Sequence, residues 1–190
     1  IFKKDLSDDE KYLLKSALSL LGQFDGLPNL GTLEGLRKSL GVKDNERQII
    51  SFSKNPIEEK SILGELFTAI SNKQVIEIHY HKFAAPDENL IHNLHPYLLK
   101  EYNSRWFLVA ASEKDEKLLT FALDRIDKVT PLPSHKYVDR DDDISEMYEE
   151  IIGVTYYDDE PLCNIYFWTS DGAKDYLLTK PLPSSQVRVK

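Results

Sequence analysis

The chain has 190 residues, 41% hydrophobic and 11% aromatic, a globular composition that excludes wholesale disorder and suffices for one sizeable domain or a small one with flanking pieces. A single cysteine, Cys163, excludes an internal disulfide framework and fits a reducing cytoplasm; no signal-peptide pattern opens the sequence, and no apolar run approaches the roughly 20 residues that a membrane helix needs. The net charge of −8 argues against a nucleic-acid partner only until its distribution is read: residues 139–160 carry ten acidic side chains against Arg140 alone, which leaves the remainder near neutral.

In chain order, Ser7-Asp8-Asp9-Glu10 is a capping box, and Leu13, Leu14, Ala17, Leu18, Leu20 and Leu21 behind it form a helical apolar stripe ending near Gly22. A second short helix is expected over Thr32–Leu40, bracketed by Gly31 and Gly41. Its only basic pair is Arg37 and Lys38, so these helices are read as packing and spacing elements, not as readers of DNA. Gln48–Phe52 is a short strand candidate, broken by Asn55-Pro56. A third helix follows over Glu58–Ser71, with Ile62, Leu63, Leu66, Phe67 and Ile70 at core spacing. After an Asn72-Lys73 turn, Gln74–Phe83 alternates as a strand, with Ile76, Ile78 and Tyr80 on one face and Val75, Glu77, His79 and His81 on the other. Ala84–Asn89, which contains Pro86, is expected to be a loop.

His95–Val129 reads as a meander with both turns visible. Leu98-Leu99 leads into a Tyr102-Asn103-Ser104 turn, Arg105–Ala111 is an apolar run, Glu113–Lys117 is a charged turn, and Leu118–Leu123 is a second apolar run. Trp106, Leu108 and Ala110 share one face and Phe107 and Val109 the other, so both faces need cover, which suits a small closed barrel. If the two runs pair about a turn near Lys114–Asp115, Arg105 faces either Asp124 or Arg125. The first register makes an ion pair of little net value. The second sets two guanidinium groups side by side, an arrangement better tolerated when a phosphate joins them.

Pro131-Leu132-Pro133 marks a boundary, and the acidic run beyond it reads as a solvated linker helix, with a tethered competitor for a cationic groove as the sharper alternative. A strand over Leu162–Trp168, a helix over Gly172–Leu178 capped from Thr169-Ser170-Asp171, and a strand over Gln186–Val189 complete the chain. Ile1 at the start and Lys190 just past a strand lead us to expect a fragment cut at both ends. His79-x-His81 and His92-x-x-His95 read as sheet-surface pairs, since no cysteine lies near to complete a zinc set. No G-x-S-x-G, HExxH or glycine-rich phosphate loop is present, and Asp141-Asp142-Asp143 scatter their carboxylates, so neither catalysis, nor a metal, nor a cofactor is expected.

The run Arg105-Trp106-Phe107-Leu108-Val109-Ala110 resembles the Trp-Tyr-Leu signature of the WYL domain, with Phe107 where Tyr is usual. Phe121-Ala122-Leu123-Asp124-Arg125-Ile126 is similar to that family's closing F-R-L-D-R-I element, with Ala122 in place of the first arginine, and the strand ending in Tyr80 and the His95-Pro96-Tyr97 entry also match. The resemblance covers roughly Glu58–Pro133. It implies an α+β fold built on a small Sm-like or SH3-like β-barrel, divided as a helical spacer at 1–54, the barrel at 55–133, the acidic linker at 134–160 and a truncated strand-helix-strand C-terminal extension at 161–190. It further implies the ligand-sensing region of a bacterial-type transcriptional regulator, cytoplasmic and dimeric, acting on operator DNA through a winged helix upstream of Ile1. Carried over by motif position, its ligand residues are Tyr80, His95, Arg105 and Arg125, an aromatic with cations suited to single-stranded nucleic acid or a nucleotide. The rival reading is a ligand-free dimerisation or partner-docking module with Tyr156, Tyr157 and Tyr166–Trp168 as contacts.

Overall fold

A computed structural model of the chain describes residues 7–21, 35, 38–39, 60–114, 116–140, 143–149, 151–157, 160–161, 163–182 and 185–189. Helix α1 spans Asp8–Leu21 and starts as its sequence dictates: the Ser7 amide donates to Glu10 Oε2 at 2.7 Å and the Glu10 amide donates to Ser7 Oγ at 3.3 Å. Of its apolar stripe Leu18 is buried, whereas Leu13 stays exposed. From the expected second helix only Gly35, Lys38 and Ser39 lie among the described residues, and all three are helical; the strand expected over 48–52 lies outside them.

Helix α2 spans Lys60–Ser71 and buries Ile62, Leu63, Leu66 and Ala69. Phe67, expected in that stripe, is exposed, because it lies about 100° round the helix from Leu66 and the smaller Ala69 closes the face. The helix ends in a Schellman motif. Lys73 takes the left-handed position (φ 49°), its amide donates to the Ile70 carbonyl at 3.0 Å, and the Gln74 amide donates to the Ala69 carbonyl at 2.9 Å.

Five strands follow: β1 (Ile76–Lys82), β2 (Ala85–Tyr102), β3 (Arg105–Ser112), β4 (Leu118–Ala122) and β5 (Ile126–Pro131), with a 3-10 turn over Leu123–Arg125 between the last two. They form one antiparallel sheet in the order β4-β3-β2-β1-β5. The expected loop over Ala84–Asn89 is almost entirely strand. Lys82 pairs with Ala85, so the turn is only Phe83-Ala84, and Pro86 is tolerated because β3 pairs with β2 only from Leu94 onward, leaving this half of β2 one free edge. The β2–β3 hairpin closes through Asn103 and Ser104, both at positive φ (50° and 61°), which is the primed turn that matches strand twist.

Among the described residues β4 and β5, the two edges of the sheet, are not paired, so the sheet is open there. The 3-10 turn takes up the gap. It lies against both β3 and β1, with Leu123 buried. On the face covered by α2, Ile76, Ile78, Tyr80, Leu94, Leu108, Ala110, Phe121 and Ile126 pack with the α2 stripe into one core. Truncating a fully buried leucine there, such as Leu66, costs about 2–5 kcal/mol.

The back of the sheet is covered too. A short helix, α3 (Ile144–Met147), is capped by Asp143, whose carboxylate accepts from the amides of Ser145 and Glu146, and Ile144 and Tyr148 pack on Val109 and Leu118. The acidic segment is therefore not wholly solvated: apolar residues four apart inside a charged run fasten it to the sheet. Beyond it, α4 (Asp171–Thr179) forms where a helix is expected and buries no residue. Neither expected strand around it appears in the described residues, because a strand needs a hydrogen-bonded neighbour and residues 163–170 and 186–189 have none; Trp168 is fully exposed at 101%. No described helix is long and apolar enough to cross a membrane.

Candidate anion-binding site

At one end of the sheet the C-terminal half of β1, its turn into β2, the end of β4 and the 3-10 turn meet around one cation. The Arg125 guanidinium sits 5.1 Å from the centroid of the Tyr80 ring and 5.0 Å from that of Phe83. Both distances are within cation–π range. Arg125 Nε is buried and has no hydrogen-bond partner among the described residues, so one of its donors is withdrawn from water with none of them accepting from it. The aromatic wall continues behind it. Tyr80 meets Phe121 edge-on at 5.1 Å, and the His92 ring stands 5.2 Å from Phe121 and 6.5 Å from Tyr80.

The alternation of β1 accounts for Tyr80, which follows Ile76 and Ile78 onto the buried face and is only 7% exposed. Burial pushes its phenol above the ordinary tyrosine range, with the Arg125 charge as the largest opposing influence. His92 lies opposite Ile78 and is held below the ordinary histidine value, first by burial and then by the charge of Lys82. Phe83, in the tight turn after β1, is 63% exposed, so one face of this platform remains open to a ligand.

Arg105 has a partner of its own. The β3–β4 register sets Phe107 opposite Ala122 and Leu108 opposite Phe121, and Arg105 Nε lies 3.2 Å from Asp124 Oδ2. Of the two registers left open by the sequence, the structure takes the one that pairs Arg105 with Asp124, and the side-by-side arginines do not occur. The pair is half-exposed, which keeps its net contribution small.

His95 lies elsewhere. Its neighbour Leu94 enters the concave core, so the pleat turns His95 to the back of the sheet. There it is 4% exposed, its Nδ1 accepts from the Val138 amide at 3.3 Å, and its ring meets Tyr137 edge-on at 5.7 Å. Tyr137 donates its hydroxyl to the Pro96 carbonyl at 2.8 Å and Tyr97 donates to the Val138 carbonyl at 3.0 Å, so His95 belongs to a strap closed over the back face. Of the four residues named from motif position, Tyr80 and Arg125 come together, Arg105 is paired with Asp124, and His95 is on the opposite face. The histidine at the aromatic wall is His92. Parity was the signal for it, since Leu90, His92 and Leu94 alternate onto one side of β2.

His79 and His81 lie on the outer face of β1. His79 Nε2 is 3.3 Å from Glu77, and His81 Nδ1 is 3.1 Å from the Asp127 carboxylate. Among the described residues no three His, Cys, Asp or Glu side chains are grouped to hold a metal ion.

Residues 61–131 match the family model of the WYL domain. Among solved structures the chain is similar to proteasome accessory factor B/C (PafBC) of Arthrobacter aurescens, at 18% identity and a TM-score of 0.37, over 66% of this chain and 20% of that one. The chain thus spans about a fifth of that protein's length. No curated protein matches the sequence.

Proposed function

With residues 61–131 as a WYL domain, we propose that this chain is the ligand-sensing region of a transcriptional regulator and binds single-stranded nucleic acid or a nucleotide-like anion at Arg125. The observation that carries the reading is the guanidinium held between Tyr80 and Phe83 with its Nε buried and unpartnered. Arg125 as a whole is only partly buried, so its charge is offered to a phosphate, and the exposed Phe83 ring offers a base a stacking surface. The strand order β4-β3-β2-β1-β5 with a 3-10 turn before β5 supports an Sm-like arrangement, whose closure at the β4 and β5 edges belongs to the proposal.

In this reading the region performs no catalysis. It biases the arrangement of two copies, and with it the operator affinity of a DNA-binding domain in the same regulator, by binding its ligand more tightly in one arrangement than in the other. Operation in the cytoplasm and as a homodimer follows from the same reading.

The test is fluorescence anisotropy of the chain with short labelled single-stranded DNA and RNA at two salt concentrations. Saturable binding that weakens as salt rises and is lost in Arg125→Ala is the expected result. An absence of binding at low salt sinks the reading. One observation favours a second reading, a partner-docking module: Ile165, Tyr166, Phe167 and Trp168 are consecutive and exposed, beside a groove of about 610 Å³ lined by Ile151, Tyr156, Tyr157 and Val187 among others. Docking through that apolar surface is insensitive to salt and to Arg125→Ala.

A further inference from the structure

We infer that the groove lined in part by Ile165, Tyr166 and Phe167 is a binding site for small lipophilic cations, a quaternary ammonium or phosphonium centre carrying aromatic or alkyl groups, with Glu160 as its counter-charge. The inference goes beyond the reading of Arg125 and uses none of the residues around it. The groove has a volume of about 610 Å³. Small-molecule sites commonly hold roughly 300–1,000 Å³. Four aromatic residues line it, Tyr156, Tyr157, Tyr166 and Phe167, among aliphatic neighbours such as Ile151 and Val187. Glu160 is the one charged residue among the described residues of that lining, and its exposed side chain has no ion-pair partner among them.

This combination selects a class of ligand. The face of an aromatic ring attracts a cation and repels an anion. A neutral apolar ligand leaves the Glu160 carboxylate uncompensated, and an anion meets a like charge there. A lipophilic cation answers both parts of the lining: its hydrocarbon groups cover Tyr157, Ile165, Tyr166 and Phe167, all exposed, while its charge is opposed by one carboxylate. A metal ion fits poorly, because a single carboxylate cannot replace a hydration shell and no three metal-ligating side chains are grouped among the described residues. The sequence strengthens the local field, since Glu160 is the last of the ten acidic residues that residues 139–160 set against Arg140 alone. One wall of the groove is anchored to the sheet. Ile151 and Tyr156 also pack with Val109, Leu118 and Tyr148, and the Tyr156 ring lies 6.2 Å from that of Tyr148.

The experiment compares tetraphenylphosphonium with tetraphenylborate, ions of matched size and shape and opposite charge, in potassium-free buffer. Each is titrated into the whole chain, with binding followed by equilibrium dialysis and by the rate at which iodoacetamide alkylates Cys163. That residue is the sole cysteine, is exposed and lines the groove, so its protection localises the ligand. The phosphonium is expected to bind saturably, to slow alkylation of Cys163, and to bind there about tenfold more tightly than the borate. Glu160→Gln keeps the shape of the side chain and weakens phosphonium binding about tenfold, which brings the two ions level. Arg125→Ala leaves phosphonium binding unchanged, and an unaltered urea midpoint shows that each variant is folded.

Protection of Cys163 by the borate at the same concentrations as the phosphonium overturns the inference, as does phosphonium binding that Glu160→Gln leaves intact. Phosphonium binding without protection of Cys163 also overturns it, because the ion is then held elsewhere. A chain that excludes both ions and sediments as a dimer with Cys163 already unreactive gives the groove to a second copy. One that excludes both ions with Cys163 fully reactive removes the cation site and leaves the groove to the partner-docking reading.

Discussion

Two of the candidate residues withdraw a polar atom from water, His95 on the back of the sheet and Arg125 at its end, and the fold treats them in opposite ways. On the back, His95 is nearly inaccessible and every contact around it is mutual: Val138 donates to it, Tyr137 donates to Pro96, and Tyr97 reaches Val138. At one end of the sheet, Arg125 lies against two rings but its buried Nε has no acceptor among the described residues. Burial alone therefore does not separate a structural polar residue from a binding one. The separation lies in whether the fold itself satisfies the group, because an unmade hydrogen bond costs more than a made one contributes. The strap satisfies the polar groups of the back face, whereas Arg125 Nε has no acceptor among the described residues.

The largest effect expected is on the back. Tyr148 is 2% exposed, packs on Val109 and Leu118, and shares a 2.8 Å hydrogen bond with Thr120 Oγ1, so Tyr148→Ala should cost about 3–5 kcal/mol in urea denaturation. Oligonucleotide binding by the folded chain should not change; a loss would mean that the two faces are coupled. His95→Ala comes next. It removes the acceptor of the Val138 amide and should cost about 1–3 kcal/mol, again with binding intact. Arg125→Ala reverses the pattern, with a tenfold or greater loss of anion affinity, worth about 1.4 kcal/mol or more, and little change in the urea midpoint. If His95→Ala abolishes binding and Arg125→Ala does not, the contrast drawn between the faces is wrong.

The pH response separates the faces further. The folded chain holds His92 below the ordinary histidine value because burial, then Lys82, disfavours its charged form. The unfolded chain therefore binds the proton more readily. The stability contributed by a neutral His92 is complete above about 6.5 and is lost as pH falls through its depressed folded value. Thermal unfolding followed across that window should show a downward slope with acidification that His92→Asn flattens. An unaltered slope in the variant would assign the pH response to another group.

Much of this arrangement was legible in the sequence, and the misses have physical causes. The faces of β1, the capping box at Ser7 and the Asn103-Ser104 turn follow from strict local rules, and the structure obeys them. The sequence allows two registers of β3 against β4, and the 3.2 Å Arg105–Asp124 contact marks the one taken. Motif position points to His95 as a ligand residue, whereas its parity with Leu94 turns it away from Tyr80. The strap was hidden because Ile144 and Tyr148 sit among carboxylates, where charge dominates any composition window although two apolar side chains four apart decide the packing. The strands expected around α4 were read from residue type alone, and residue type cannot supply a neighbouring strand.

The smallest effect concerns the hairpin that delivers Arg105. Asn103 and Ser104 both hold positive φ in a primed turn, and asparagine tolerates that conformation at the first position far better than serine does at the second, where glycine is preferred. The Ser104 amide is engaged by the Glu101 carboxylate at 2.5 Å, a bond that a glycine amide can make equally well. Ser104→Gly should therefore relieve backbone strain and raise stability by about 1 kcal/mol, less a few tenths for the greater freedom of the unfolded chain, seen as a higher urea midpoint at constant slope. Because Arg105 is committed to Asp124 and the proposed site centres on Arg125, loosening or tightening this turn should leave anion affinity where it was. A change in affinity with no change in stability would show that the turn positions a side chain the ligand touches, and would move Arg105 from the internal pair into the binding site.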